Sequence, residues 1–186
     1  MTKHLITHLD TLKRTDFSYK FLKSYHENLD VVLHNFGTGS KDNVLFIRTD
    51  SNFPVIISKY KNGANMLIIS NMLSPNVYNT LQLSSRERAY KVISDIIIEL
   101  SSTLSRYDYN PPVKYIGCGV CYCIDDFSNR RTIGVNPEFV FTIFPIQLLK
   151  QYRNGQISEE KLLSNSDVFI SENGKHDLKK IEVQIQ

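Results

Sequence analysis

The sequence predicts a single α+β domain, residues 1–186, in which a largely antiparallel sheet (a β-meander plus a long β-hairpin) is packed by helices. Three observations carry this reading. The chain has 186 residues, 41% of them hydrophobic and 22% charged, which suits one well-cored domain and is too short for two. Three β-branched runs, "VLFIRTD", "FPVIISKY" and "ANMLIISNM", follow one another from Val44 with turn residues between them. Helical periodicity bounds that region on both sides.

The elements follow in order. Residues 1–27 read as an N-terminal helical segment, with Leu5, Leu9 and Leu12 on one face and Phe17, Phe21 and Tyr25 on another. The change of phase at Thr15-Asp16 suggests a kink or a second short helix, with that pair as its N-cap. "LDVVLHNF" reads as a strand and "GTGSKDN" as a loop. Asp50-Ser51-Asn52 separates the first two β runs. Asn62-Gly63 separates the next two and predicts a type I′ hairpin, because that turn needs positive φ at both centres. A two-residue turn there places Ile57 opposite Ile68 and Ile56 opposite Ile69. Both faces are then apolar, which predicts a hairpin in the middle of the sheet, covered on both sides.

Ser84-Ser85-Arg86-Glu87 is a capping box, with Ser84 as N-cap and Glu87 at N3. The helix after it puts Ala89, Val92, Ile93, Ile96, Ile97, Leu100 and Leu104 on one stripe, with Ile98 off it. Two long strands, about 113–124 and 131–143, are joined by "DDFSNRR". Pro145 suits the first turn of a short helix, Asn154-Gly155 stops it, and Ser158 caps another. "DVFI" and "KIEVQI" read as short strands, and residues 171–186 as a C-terminal tail or edge strand.

Composition narrows function mainly by exclusion. The net charge is +3, and it is evenly spread: residues 1–41 hold six Lys/Arg against four acids, 42–149 ten against nine, and 150–186 six against six. No basic stripe of the kind nucleic-acid binders show is visible. Apolar runs such as "VISDIIIEL" are broken by charge well before the ~20 residues of a membrane span. The N-terminus has no apolar core followed by a cleavage site, which predicts a cytoplasmic protein with reduced thiols.

All three cysteines lie in "YIGCGVCYCI". Structural zinc needs four ligands, and no second Cys/His pair completes a set with Cys118 and Cys121. A redox CxxC opens a helix, whereas this run alternates like a strand. The expectation is a strand, with Cys121 and Cys123 on one face and Cys118 on the other. His4 and His8 stand at i, i+4, but "HLITH" lacks the glutamate of a zinc-protease helix. A nuclease-type metal site needs an acid on one strand and an acid-x-Lys on the next. Asp167, Glu172 and Lys175, then Asp177 and Glu182, come nearest without forming the triplet. "FGTGSKDN" lacks phosphate-loop spacing. "FSYKFLKSY" interleaves aromatics and lysines in a way that suits base stacking, but at helical spacing the same residues read more simply as an amphipathic core face with Lys20 and Lys23 in solvent. No catalytic, cofactor or metal residue is assigned.

One resemblance adds to this. The tail "FPIQLLKQYRNGQISEEKLL" resembles the end of suppressor-of-fused-like domains: an apolar strand entering a Pro-Ile helix, a Gly-containing turn and a leucine-rich helix. Phe144-Pro145-Ile146, Gly155 and Leu162-Leu163 are the matching positions. Leu148 and Leu149 stand where that family often carries an acid. Bacterial members look like immunity proteins, stoichiometric inhibitors of a partner toxin. The resemblance therefore implies a non-catalytic binding protein with a protein partner; the alternative is a nucleic-acid-associated protein or a degenerate metal-dependent nuclease. For the partner contact, the residues nominated are those of the hairpin loop, Asp125, Asp126, Phe127, Arg130 and Arg131, because aromatics and Arg dominate interface hot spots.

Overall fold

One long strand organises the sheet. In the computed structural model, residues 17–39, 45–46, 55–125, 135–171 and 177–182 are described. Strand β3 (Ala64–Asn79) pairs antiparallel, along one edge, with both β1 (Leu45–Phe46) and β2 (Val55–Tyr60). Its other edge runs parallel to β4 (Val113–Asp125). Antiparallel pairs then carry the sheet through β5 (Val135–Pro145) and β6 (Asp167–Ser171) to β7 (Lys179–Ile181), an edge strand. The fold is α+β and mostly antiparallel, with β3–β4 as the one parallel pair among the described residues.

A parallel pair needs a crossover, and the capped helix supplies it. Ser84 Oγ accepts from Glu87 N at 3.4 Å, and Glu87 Oε2 accepts from Ser84 N at 2.7 Å. Helix α2 (Ser85–Val92) then passes through a π-helical turn (Ile93–Ile97) into α3 (Ile98–Leu104). The predicted stripe is buried from Ala89 to Leu104. Pro145 is the N-cap of α4 (Ile146–Arg153), Gly155 takes a φ of 69° just beyond its end, and Ser158 caps α5 (Glu159–Ser164).

Four expectations are corrected. Residues 29–36 are helical, not a strand: α1 spans Phe17–Gly39. Leu29, Val32, Leu33 and Phe36 are buried at i, i+3, i+4, i+7 and continue the stripe begun by Phe21 and Leu22. The β2–β3 hairpin has the positive φ expected at Asn62 (56°) and Gly63 (70°), but its closing pair is Tyr60 and Ala64. Ile57 therefore faces Leu67, and Ile56 faces Ile68. Nor is the hairpin central: among the described residues β2 pairs only with β3, and Ile56 is 39% exposed. Finally, Ile98 is buried. The π turn spends extra residues per turn and swings Ile98 inward, where α3 lies between α1 and α4.

The helices share one side. Ser101 Oγ on α3 lies 3.1 Å from Cys118 Sγ, and Arg88 on α2 reaches Glu138 on β5. Cys118 and Glu138 belong to the same alternating set as Ile116, Val120, Tyr122 and Ile124, all buried. Helix α1 joins this layer through the Phe21–Tyr109 and Tyr25–Tyr109 ring contacts and its contacts with α3.

Leu100→Ala should destabilise the protein by about 2–5 kcal/mol, the usual cost of a core cavity. Ile98→Ser should cost a comparable amount in urea melts. A neutral Ile98→Ser would show that the π turn does not bury this position.

Candidate functional site

The other face of the sheet carries no helix among the described residues. Gly117, Gly119, Cys121 and Cys123 alternate onto it from β4, opposite Ile143, Phe141, Phe139 and Pro137 of β5. Phe169 of β6 stands opposite Phe141, with ring centroids 6.5 Å apart. Met66, Ile68, Leu73 and Val77 of β3 complete the row on the other side of β4. Met66 and Ile143 are buried, yet they lie outside the main core cluster, as do the three phenylalanines. This is a second apolar layer, separate from the core.

Glycine shapes it. A Cβ on Gly117 would lie 2.8 Å from Phe141 Cζ, and one on Gly119 would lie 2.6 Å from Phe139 Cζ. Both rings lie down over β4 into space that only glycine leaves. The result is a half-buried aromatic layer on the sheet. At one end Val77 is 58% exposed, and Leu81 just beyond it 71%. Thr80 closes that end by donating from N and Oγ1 to the Asp125 carbonyl, at 3.3 and 3.2 Å.

Charge collects at the opposite end. Asp167 opens β6, nearly buried, and its Oδ2 accepts from the Tyr60 hydroxyl and from Lys61 Nζ at 2.5 Å. Lys180 Nζ reaches its Oδ1 at 2.5 Å. Burial alone would raise the Asp167 carboxyl, but the Lys180 and Lys61 ammoniums and the Tyr60 hydroxyl outweigh it and hold it well below the usual carboxylate range. The cluster ties the β2–β3 turn to the β6–β7 edge. Tyr60 also packs edge-on against Tyr115, at 5.1 Å between centroids.

A second ion pair is fully interior. Arg88 donates from Nε to Glu138 Oε2 (2.9 Å) and from Nη2 to Oε1 (2.6 Å). Its Nη2 also meets Ser85 Oγ at 3.0 Å, and Nη1 donates to the Leu83 carbonyl at 2.5 Å. Glu138 is 0% exposed, so the pair is closed to any ligand and acts as a pin between the helix layer and the sheet. Sequence reasoning missed it; the only signal was an acid inside an otherwise apolar strand.

The residues nominated from sequence are placed as follows. Cys118 is buried in β4, its thiol pushed up to about 12 by burial, and Cys121 and Cys123 share the opposite, half-buried face. The strand reading of this segment holds. Asp125 is exposed at the base of the β4–β5 hairpin, whereas Asp126, Phe127, Arg130 and Arg131 lie outside the described residues. So do His4, His8, Thr15, Asp16, Glu172 and Lys175. Asp177 and Glu182 are exposed, and Asp167 is taken up by its lysines. No group of three or more His, Cys, Asp or Glu side chains is placed to hold a metal ion among the described residues. No helix among them is long and apolar enough to cross a membrane. The chain matches no protein-family model, no curated protein and no solved structure.

Two outcomes follow. Glu138→Ala should cost about 3–5 kcal/mol by leaving Arg88 buried without its partner, while Arg88→Met with Glu138→Leu should recover most of that loss. Chemical denaturation would measure both, and equal losses in the single and double variants would contradict the pin. Because the Asp167 carboxyl lies lower in the folded than in the unfolded state, its contribution is complete above the unfolded value near 3.8 and is lost as pH falls below it. Asp167→Asn should therefore lower stability at neutral pH and flatten its decline in acid. An unchanged acid limb would remove Asp167 from the account.

Proposed function

We propose that this chain is a non-catalytic binding protein of the immunity kind, which blocks a partner bacterial toxin by covering it with the sheet face that carries no helix among the described residues. The observation that carries the reading is the aromatic layer of Phe139 and Phe141, packed over glycines with Phe169 beside them, and set apart from the core. Half-buried rings outside the core, continued by Val77 and Leu81, which are 58% and 71% exposed, favour association. The resemblance of residues 144–163 to suppressor-of-fused-like domains points to the same class.

The partner's chemistry is constrained by the ends of the face. Its middle is uncharged among the described residues, while Lys61 and Lys180, each more than half exposed, stand at one end and Asp125 at the other. A protein with an apolar patch bordered by acidic groups complements this arrangement. Nucleic acid would instead want cations along the whole length. Inhibition is steric: a preformed sheet pays little ordering entropy on binding, and a standard interface of about 1,600 Å² suffices to close an active site. The chain itself needs no reactive group.

Co-expression tests this. With the toxic product of the adjacent gene, the intact chain should restore growth and form an equimolar complex. Val77→Asp combined with Phe141→Asp should abolish both while leaving the folded spectrum of the free protein in place; Val77→Asp alone, at an exposed position, guards against a folding defect. Rescue that survives both substitutions moves the contact elsewhere. Absence of rescue by the folded, intact chain overturns the inhibitor reading.

A further inference from the structure

At the lysine end of the face lies a recess of ≈ 360 Å³, lined by Lys59, Lys61, Asn65, Lys114 and Tyr115 and by the Asn62-Gly63 turn. No acid lines it among the described residues. Its walls are held in place. Lys59 Nζ donates to Asn65 Oδ1 at 2.5 Å, and Asn65 Nδ2 donates to the Pro112 carbonyl at 2.9 Å, which locks the β2–β3 turn to the start of β4. Lys61 is anchored by Asp167, but that carboxylate is shared with Lys180, so the three groups together remain net positive. Lys114 is exposed beside them.

Tyr115 connects the recess to the aromatic face. It lines the recess, alternates onto the same side of β4 as Gly117 and Cys121, and stacks edge-on against Tyr60. From this we infer that the recess is a carboxylate-binding pocket that receives an acidic side chain of a protein partner whose neighbouring apolar residues lie on the face; this rests on the function proposed above. A carboxylate fits better than a phosphate chain for two reasons. Among the described residues the pocket offers separate ammonium groups without an Arg fork, and the cations stop at its rim instead of tracking a backbone.

The test is an amide-resolved NMR titration of the full chain with three probes: acetyl-Asp-Asp-Phe-amide, its neutral analogue acetyl-Asn-Asn-Phe-amide, and a short oligothymidylate. The acidic peptide should shift the amides of Gly63, Asn65, Lys114 and Tyr115 saturably, and the neutral analogue should leave them nearly unmoved. Lys114→Glu, an exposed substitution that leaves the core untouched, should weaken the acidic peptide by about tenfold, as a charge reversal at contact distance requires. Shifts confined to the recess, with Phe139 and Phe141 silent, uphold the pocket while counting against the docking face. Equal shifts from the neutral peptide, no change in Lys114→Glu, or tighter binding of the oligothymidylate at the same amides would each overturn the proposal.

Discussion

Strand β4 divides this protein into an inside and an outside. Alternate residues from Ile116 to Ile124 are sealed against the helices, and the intervening positions are Gly117, Gly119, Cys121 and Cys123, all small side chains on a strand that faces large neighbours. Every other choice in the sheet follows this division. The parallel β3–β4 pair forces a crossover helix, and the crossover lands on the Cys118 side. Phe139 and Phe141 must then find room on the opposite side, and the two glycines provide it.

Two ion clusters keep the halves aligned, and they differ in kind. Arg88–Glu138 is interior, bidentate and inaccessible, so it fixes the orientation of the helix layer more than it adds to stability. The Tyr60–Lys61–Asp167–Lys180 cluster is half in solvent and ties two sheet edges that are remote in sequence. Exposed lysines contribute little free energy through such pairs. Their consequence is electrostatic, a positive end on a face whose middle is uncharged among the described residues and whose other end carries Asp125.

Much of the fold was legible because local rules and burial agreed. The capping box at Ser84, the stripe from Ala89 to Leu104, the cap at Ser158 and the alternation of the cysteine strand each had a mechanism readable from a few residues. The misreadings arose where two signals competed. Val31 and Val32 suggested a strand, but the 3.6-residue spacing of Leu22, Leu29, Leu33 and Phe36 is a longer-range signal and it decided the outcome. Asn62-Gly63 gave the right dihedrals and the wrong register, because turn dihedrals do not alone fix which residues close the loop. Ile98 depended on a π turn that no spacing rule anticipates. The candidate face was the least legible part: it is made of ordinary strand residues from β3 to β6, and only the strand order shows that they share a side, one with no helix above it among the described residues.

Cys121 and Cys123 lie within that face, and Cys118 lies behind it, so the protein carries its own footprinting probes. The decisive measurement is thiol alkylation read by mass spectrometry at mildly alkaline pH, with and without the bound partner. In the free protein Cys121 and Cys123 should label while Cys118 stays protected, and in the complex all three should be protected. Undiminished labelling of Cys121 and Cys123 in a stable complex would contradict the claim that this face is the contact surface.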